Sequence, residues 1–159
     1  MLLTTEQTHS KEYLTYLRSF VEAVLAYTGA EKVDIIGHSM GVTLGRGVIK
    51  GGTIPGPYGS FNLGDPMTDK VDTFIGIAGA NYGLVNCYLT SFVTTCNDVN
   101  GFYPGYDAGP GNGLSQYLDY LNNSPVKEGA KAYAIFSTYD DLIGYGDEVY
   151  GKFTSEFPN

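Results

Sequence analysis

Ser39, framed by glycines in the pentapeptide Gly37-His38-Ser39-Met40-Gly41, is the residue of this sequence best placed to do chemistry. The apolar run Val33-Asp34-Ile35-Ile36 before it reads as a buried strand, and Val42 to Lys50 after it reads as a helix. A serine on a sharp strand-to-helix turn is a nucleophile elbow. Such a turn strains the serine backbone, and glycines two residues either side are expected to keep Cβ atoms out of the crowded bend. Oγ then stands at the top of a sheet beside a helix N-terminus, where the backbone N–H of Met40 can meet a developing oxyanion. The competing reading is a glycine-rich turn whose serine merely caps the helix.

The elements that must hold this serine follow from spacing. From Lys11 to Tyr27 apolar residues recur at helical intervals, with Tyr13, Leu17, Phe20, Val24 and Tyr27 on one line and Leu14 and Val21 beside it. Ser10 is placed as N-cap and Gly29 as the residue that ends the helix. Val71 to Gly79 reads as a second buried strand. Ala130 to Ser137 reads as a third, ending in Thr138-Tyr139-Asp140-Asp141. Leu114 to Leu121 reads as a short helix. Gly51 to Lys70, with five glycines and three prolines, reads as an excursion loop. Asn81 to Gly113 is a long irregular stretch carrying Tyr82, Tyr88, Phe92, Phe102, Tyr103 and Tyr106; it either lines a cleft or packs its aromatics beneath itself.

Strands alternating with helices predict an α/β fold with a parallel sheet, in one domain spanning residues 1–159. In such folds functional groups gather at the carboxyl ends of the strands. Ser39, the loop after Gly79 and Asp140/Asp141 all fall there.

Seventeen acidic against nine basic residues leave a net charge of −8, which disfavours nucleic acid and anionic membranes. An apolar rim could still meet a lipid surface. No stretch reaches the ~18 apolar residues of a membrane span, and Met1 to Lys11 lacks the apolar centre of a signal peptide. Cys87 and Cys96 lie close together on an irregular loop, which suits a local disulfide and a secreted protein; two free thiols are the alternative. Too few Cys and His are available to complete a zinc site. Asn122-Asn123-Ser124 is a glycosylation sequon, followed unfavourably by Pro125.

Gly37-His38-Ser39-Met40-Gly41, the stretch Ile77-Ala78-Gly79-Ala80-Asn81-Tyr82-Gly83 and Phe136-Ser137-Thr138-Tyr139-Asp140 together resemble the class 2 lipase family, secreted α/β-hydrolases with an animal branch. The resemblance runs over most of Ser10 to Pro158. It implies a three-layer α/β-hydrolase sandwich around a parallel sheet, and hydrolysis of lipid esters with no metal or organic cofactor. It makes Ser39 the nucleophile and Asp140 the acid that orients the catalytic histidine, with Asp141 as fallback.

In that fold class the triad runs Ser, Asp, His along the chain, so the histidine should follow Asp140. The histidines here are His9 and His38. His38 is expected to point away from Ser39 and to pack behind the elbow, and His9 to be a solvent-exposed terminal residue. The family's early strand and its His-Gly oxyanion loop have no counterpart before Lys11. The sequence therefore reads as a truncated member, with little or no ester hydrolysis of its own. The strand at Val33 to Ile36 is expected to expose an unpaired edge and to lower solubility. The alternative function is an inactive lipase-like module that binds lipid or protein.

Overall fold

The protein is described here from a computed structural model covering residues 8–106, 113–143 and 146–158. Helix α1 spans Lys11–Thr28. Ser10 caps it, its hydroxyl accepting from the Tyr13 N–H at 3.2 Å, and Gly29 ends it in the left-handed region at φ 67°. Only a residue without Cβ enters that region cheaply, which explains why the helix stops there. Strand β1 (Val33–His38) follows and turns through Ser39 into α2 (Met40–Lys50).

The excursion loop contains a small antiparallel hairpin, β2 (Thr53–Ile54) and β3 (Phe61–Asn62), which its glycine- and proline-rich composition does not predict. β4 (Val71–Ile77) comes next, then two single 3₁₀ turns at Val85–Cys87 and Thr94–Cys96. α3 (Gln116–Asn123) and β5 (Lys131–Ile135) complete the expected elements. A second hairpin, β6 (Glu148–Val149) and β7 (Lys152–Phe153), was not foreseen. The end of the expected loop, residues 107–112, lies outside the described residues.

β1, β4 and β5 form a parallel sheet in the order β1-β4-β5. α2 packs on β1 and β4, while α1 and α3 pack on α2. Val42, Ile49, Val71 and Phe74 form the core between α2 and the sheet. Leu14, Leu44, Val48, Tyr117, Leu118 and Leu121 form the core between the three helices. Each such side chain contributes about 1.5–3 kcal/mol on burial. The fold is thus α/β, a parallel three-stranded sheet flanked by helices.

β1 is one of the sheet's two edges among the described residues, β5 being the other, so its outer N–H and C=O groups have no strand partner there. The open edge is as expected, but the expectation of a buried strand is corrected at its face: Ile36 is 67% exposed. The apolar line on α1 is corrected too. Tyr13 and Leu14 are buried, but Phe20 and Tyr27 face outward. Phe20, with Leu17, Val21 and Val24, walls an apolar groove of about 480 Å³ along β1 instead of packing into the core. In register, Ile36, Ile75 and Tyr133 lie across one face of the sheet, away from Phe74 and α2. This is the face on which a sandwich of three layers carries its other layer.

Candidate active site around Ser39

Ser39 is the joint between β1 and α2, at φ 53° and ψ −127°. A side-chain-bearing residue at positive φ is costly, of order 1–3 kcal/mol, and persists only when its neighbours impose it. They do. The Ser39 N–H is tied to Ile77 O at 2.9 Å, and the Ser39 carbonyl accepts from Val42 N at 3.0 Å, which starts the helix. The hydroxyl makes no capping hydrogen bond, so the reading of Ser39 as a helix cap fails. Met40 is the first helical residue, and its N–H has no intrahelical acceptor.

The two glycines are not equivalent. A Cβ on Gly37 would fall 2.7 Å from Gly41 O, so the close return of the chain excludes any side chain there. A Cβ on Gly41 would meet open space. The expectation that both protect the bend is therefore corrected: only Gly37 does.

The three parallel strands end flush, with His38 opposite Ile77 and Ile77 opposite Ile135. The ladder continues one rung beyond the strands, Ser39 N to Ile77 O and Ala78 N to Ile135 O at 2.8 Å. Ala78, like Ser39, sits at positive φ, 49°. The loop that follows β5 carries Asp140, two strand spacings or roughly 10 Å across the sheet from β1. Asp140 is half-buried, and its Oδ1 accepts from Leu142 N at 3.0 Å and Ile143 N at 2.9 Å. That turn fixes the carboxylate and leaves Oδ2 for another partner. Asp141 is exposed.

His9 is not a solvent-exposed terminal residue. It is completely buried, stacked on Tyr117 at 4.1 Å and edge-on to Phe102. Its Nδ1 lies 2.8 Å from Asn100 O, which can only accept, so Nδ1 carries the hydrogen. Nε2 then accepts from the Thr43 hydroxyl at 2.6 Å. Burial lowers its pKa to about 3, with the Asn100 contact opposing. Both ring nitrogens are occupied, and the ring pins the chain before α1 onto α2. His38 is exposed and lines the apolar groove; as the residue before Ser39 on an extended strand, it points the other way. It is not packed behind the elbow.

Sequence reading missed the fully buried Arg46. Its guanidinium donates to Glu128 Oε1 (2.8 Å), Asn81 Oδ1 (2.9 Å), Asn122 Oδ1 (2.9 Å) and Leu121 O (3.1 Å), and lies over the Phe157 ring. Lys50 pairs with the same Glu128 oxygen at 3.0 Å. Burial alone would push the Glu128 carboxyl up, but the charges of Arg46 and Lys50 bring it below its ordinary range. A polar residue in the middle of a helical apolar face was the available signal. Asn122, the sequon asparagine, spends its side chain here, also donating to Asn81 O at 2.8 Å.

Cys87 and Cys96 are disulfide-bonded, with Cα atoms 4.9 Å apart. The loop they close exposes Leu89 (80%) and Phe92 (86%), whereas Phe102 and Tyr103 are buried, the packing beneath the loop that is one of the two readings. Among the described residues no cluster of His, Cys, Asp or Glu could hold a metal ion, and no helix is long and apolar enough to cross a membrane.

A parallel sheet whose strand turns through a strained serine into a helix, with a fixed carboxylate on a later strand-end loop, defines the α/β arrangement of elbow-type hydrolases. Comparison with protein families matches residues 2–159 to Lipase (class 2), and the chain belongs to that family. No curated protein matches the chain.

Proposed function

We propose that this is the ester-hydrolysing domain of a lipase, with Ser39 as nucleophile, Asp140 as the acid of the triad, and Met40 N–H as an oxyanion donor. The observation that carries the reading is Ser39 itself, bent to φ 53° at the head of α2 with its hydroxyl left uncapped. Asp140 is preferred to Asp141 because its carboxylate is fixed by two backbone N–H groups while Asp141 is exposed. A base takes the Ser39 proton as Oγ attacks the ester carbonyl, Asp140 holds that base in the right tautomer, and water then releases the acid. One oxyanion donor is typically worth ~10² to 10³ in rate.

The base is a histidine, and neither His9 nor His38 is placed to serve. With no base, a triad enzyme keeps only ~10³ to 10⁴-fold acceleration over water. The substrate is a lipid ester, met at a lipid surface through the exposed apolar side chains near the strand ends. Tyr139 and Leu142, on the loop after β5, are offered for that contact, with Leu89 and Phe92 exposed on the disulfide loop. The disulfide and the family membership support an extracellular setting.

The test is p-nitrophenyl ester hydrolysis by the sequence as given and by a version extended with a family segment bearing the histidine. Near-background rates are expected in the first, and in the second a rate that Ser39→Ala abolishes. Fast hydrolysis by the first, or survival of Ser39→Ala in the second, overturns the assignment. A second reading, a lipid-binding module without catalysis, is supported by the engagement of both His9 ring nitrogens away from Ser39 and by the exposed apolar side chains. Activity in the extended version would exclude it.

A further inference from the structure

Ser155 Oγ sits between two oxygens, Gly79 O at 2.7 Å and Asp147 Oδ1 at 2.6 Å. The Ser155 N–H reaches Asp147 Oδ2 at 3.2 Å. Asp147 and Ser155 are both buried, and among the described residues no backbone N–H reaches Gly79 O. A hydroxyl has one hydrogen to give, and a carbonyl or an ionised carboxylate can only accept. With Asp147 ionised, one of the two short O···O contacts holds no hydrogen, and two electron-rich oxygens face each other away from water. With Asp147 protonated the count closes. The carboxyl O–H donates to Ser155 Oγ, the Ser155 O–H donates to Gly79 O, and the Ser155 N–H donates to Oδ2.

We propose that Asp147 is held protonated in the folded protein and, as a hydrogen-bond donor to Ser155, acts as a positioning residue for the loop that carries Asp140. The chain of contacts from Gly79 through Ser155 to Asp147 joins the end of β4 to that loop. Thr154 N donates to Asp147 O at 2.7 Å, and Gly146 N reaches Asp140 O at 3.4 Å, so the segment closes back on Asp140 itself. The charged groups acting on Asp147 are Asp140, from the loop after β5, and Glu156, from the C-terminal segment. Both are negative and reinforce burial in raising its carboxyl, against the Ser155 bonds. From the β4 side it meets the neutral Gly79 carbonyl, through Ser155.

The consequence for catalysis rests on the role proposed for Asp140; the proton on Asp147 does not. The test therefore reads stability and spectrum. Asp147→Asn presents an N–H to Ser155 Oγ and a carbonyl to Ser155 N, copying the neutral pattern, and asparagine tolerates the positive φ of 70° at this position. A carboxyl raised on folding stabilises the fold most below its unfolded value, 3.8, and that stabilisation is lost as pH rises through the folded value. Urea midpoints of Asp147→Asn and the unsubstituted protein should coincide near pH 4, with the variant becoming the more stable of the two towards pH 8. An infrared band of a protonated carboxyl should be present near pH 6 and absent from Asp147→Asn. In Ser155→Ala, which removes the acceptor, that band should shift. A variant less stable at neutral pH whose deficit closes on acidification, or identical midpoints at every pH, overturns the proposal. Should the variants not fold, absence of the band from the unsubstituted protein near pH 6 overturns it as well.

Discussion

The backbone N–H of Ser39 donates to the carbonyl of Ile77 at 2.9 Å, so the elbow bends while still bonded to the neighbouring strand. A serine free to relax would leave the positive-φ region; this one is held there by the sheet on one side and by the first turn of α2 on the other. The strain is a property of the junction and not of the side chain.

Replacing Ser39 therefore separates strain from chemistry. Ser39→Gly removes the Cβ that makes φ 53° costly, while Ser39→Ala keeps it. Denaturant unfolding should find Ser39→Gly more stable than Ser39→Ala by about 1 kcal/mol or more. Equal midpoints would mean that the bend carries no strain.

The flanking glycines should respond oppositely. Gly37→Ala drives its methyl into the Gly41 carbonyl and is expected to cost about 1–3 kcal/mol. Gly41→Ala meets nothing and sits inside α2, where alanine is favoured over glycine by up to about 1 kcal/mol. Urea midpoints of the two single variants check this directly; a loss at Gly41 as large as that at Gly37 would contradict the geometry.

Acid should act through His9. Its folded pKa of about 3 lies below the model-compound value of 6.5, so the unfolded chain binds the proton more readily. The stability it confers is complete above pH 6.5 and is lost as pH falls towards 3. At about 1.4 kcal/mol per unit, the full loss is roughly 5 kcal/mol. His9→Gln cannot titrate there, and its stability should fall less steeply between pH 6 and 4. An unchanged slope would remove His9 from the acid response.

The open edge of β1 predicts association. Ile36 is exposed on a strand whose outer backbone groups are unpaired among the described residues, beside the apolar groove walled by α1. Sedimentation should show mass rising with concentration, and Ile36→Lys should reduce it by placing a charge on the edge. A monomer at all concentrations would show that the edge is protected.

How much of this the sequence disclosed follows from the range of the interactions involved. The caps Ser10 and Gly29, the strand-turn-helix at Ser39 and the existence of β4 and β5 depend on neighbours in the chain and are readable there, although the reading carries both strands two residues past their ends at Ile77 and Ile135. The burial of His9 depends on Asn100 and Tyr117, roughly a hundred residues away, and no local pattern announces it. The exposure of Phe20 and Ile36 escaped for a related reason: hydrophobic spacing says which face is apolar, but not whether anything covers it. Asp147 and Ser155 matter because of a hydrogen count, which only coordinates supply.

Arg46 has a consequence for the order of events during synthesis. Its partners come from residues 81, 121, 122, 128 and 157, so the cation emerges from the ribosome long before anything exists to neutralise it. α2 cannot complete the burial of that side chain until residue 157 has been made, which makes closure a late and non-local step.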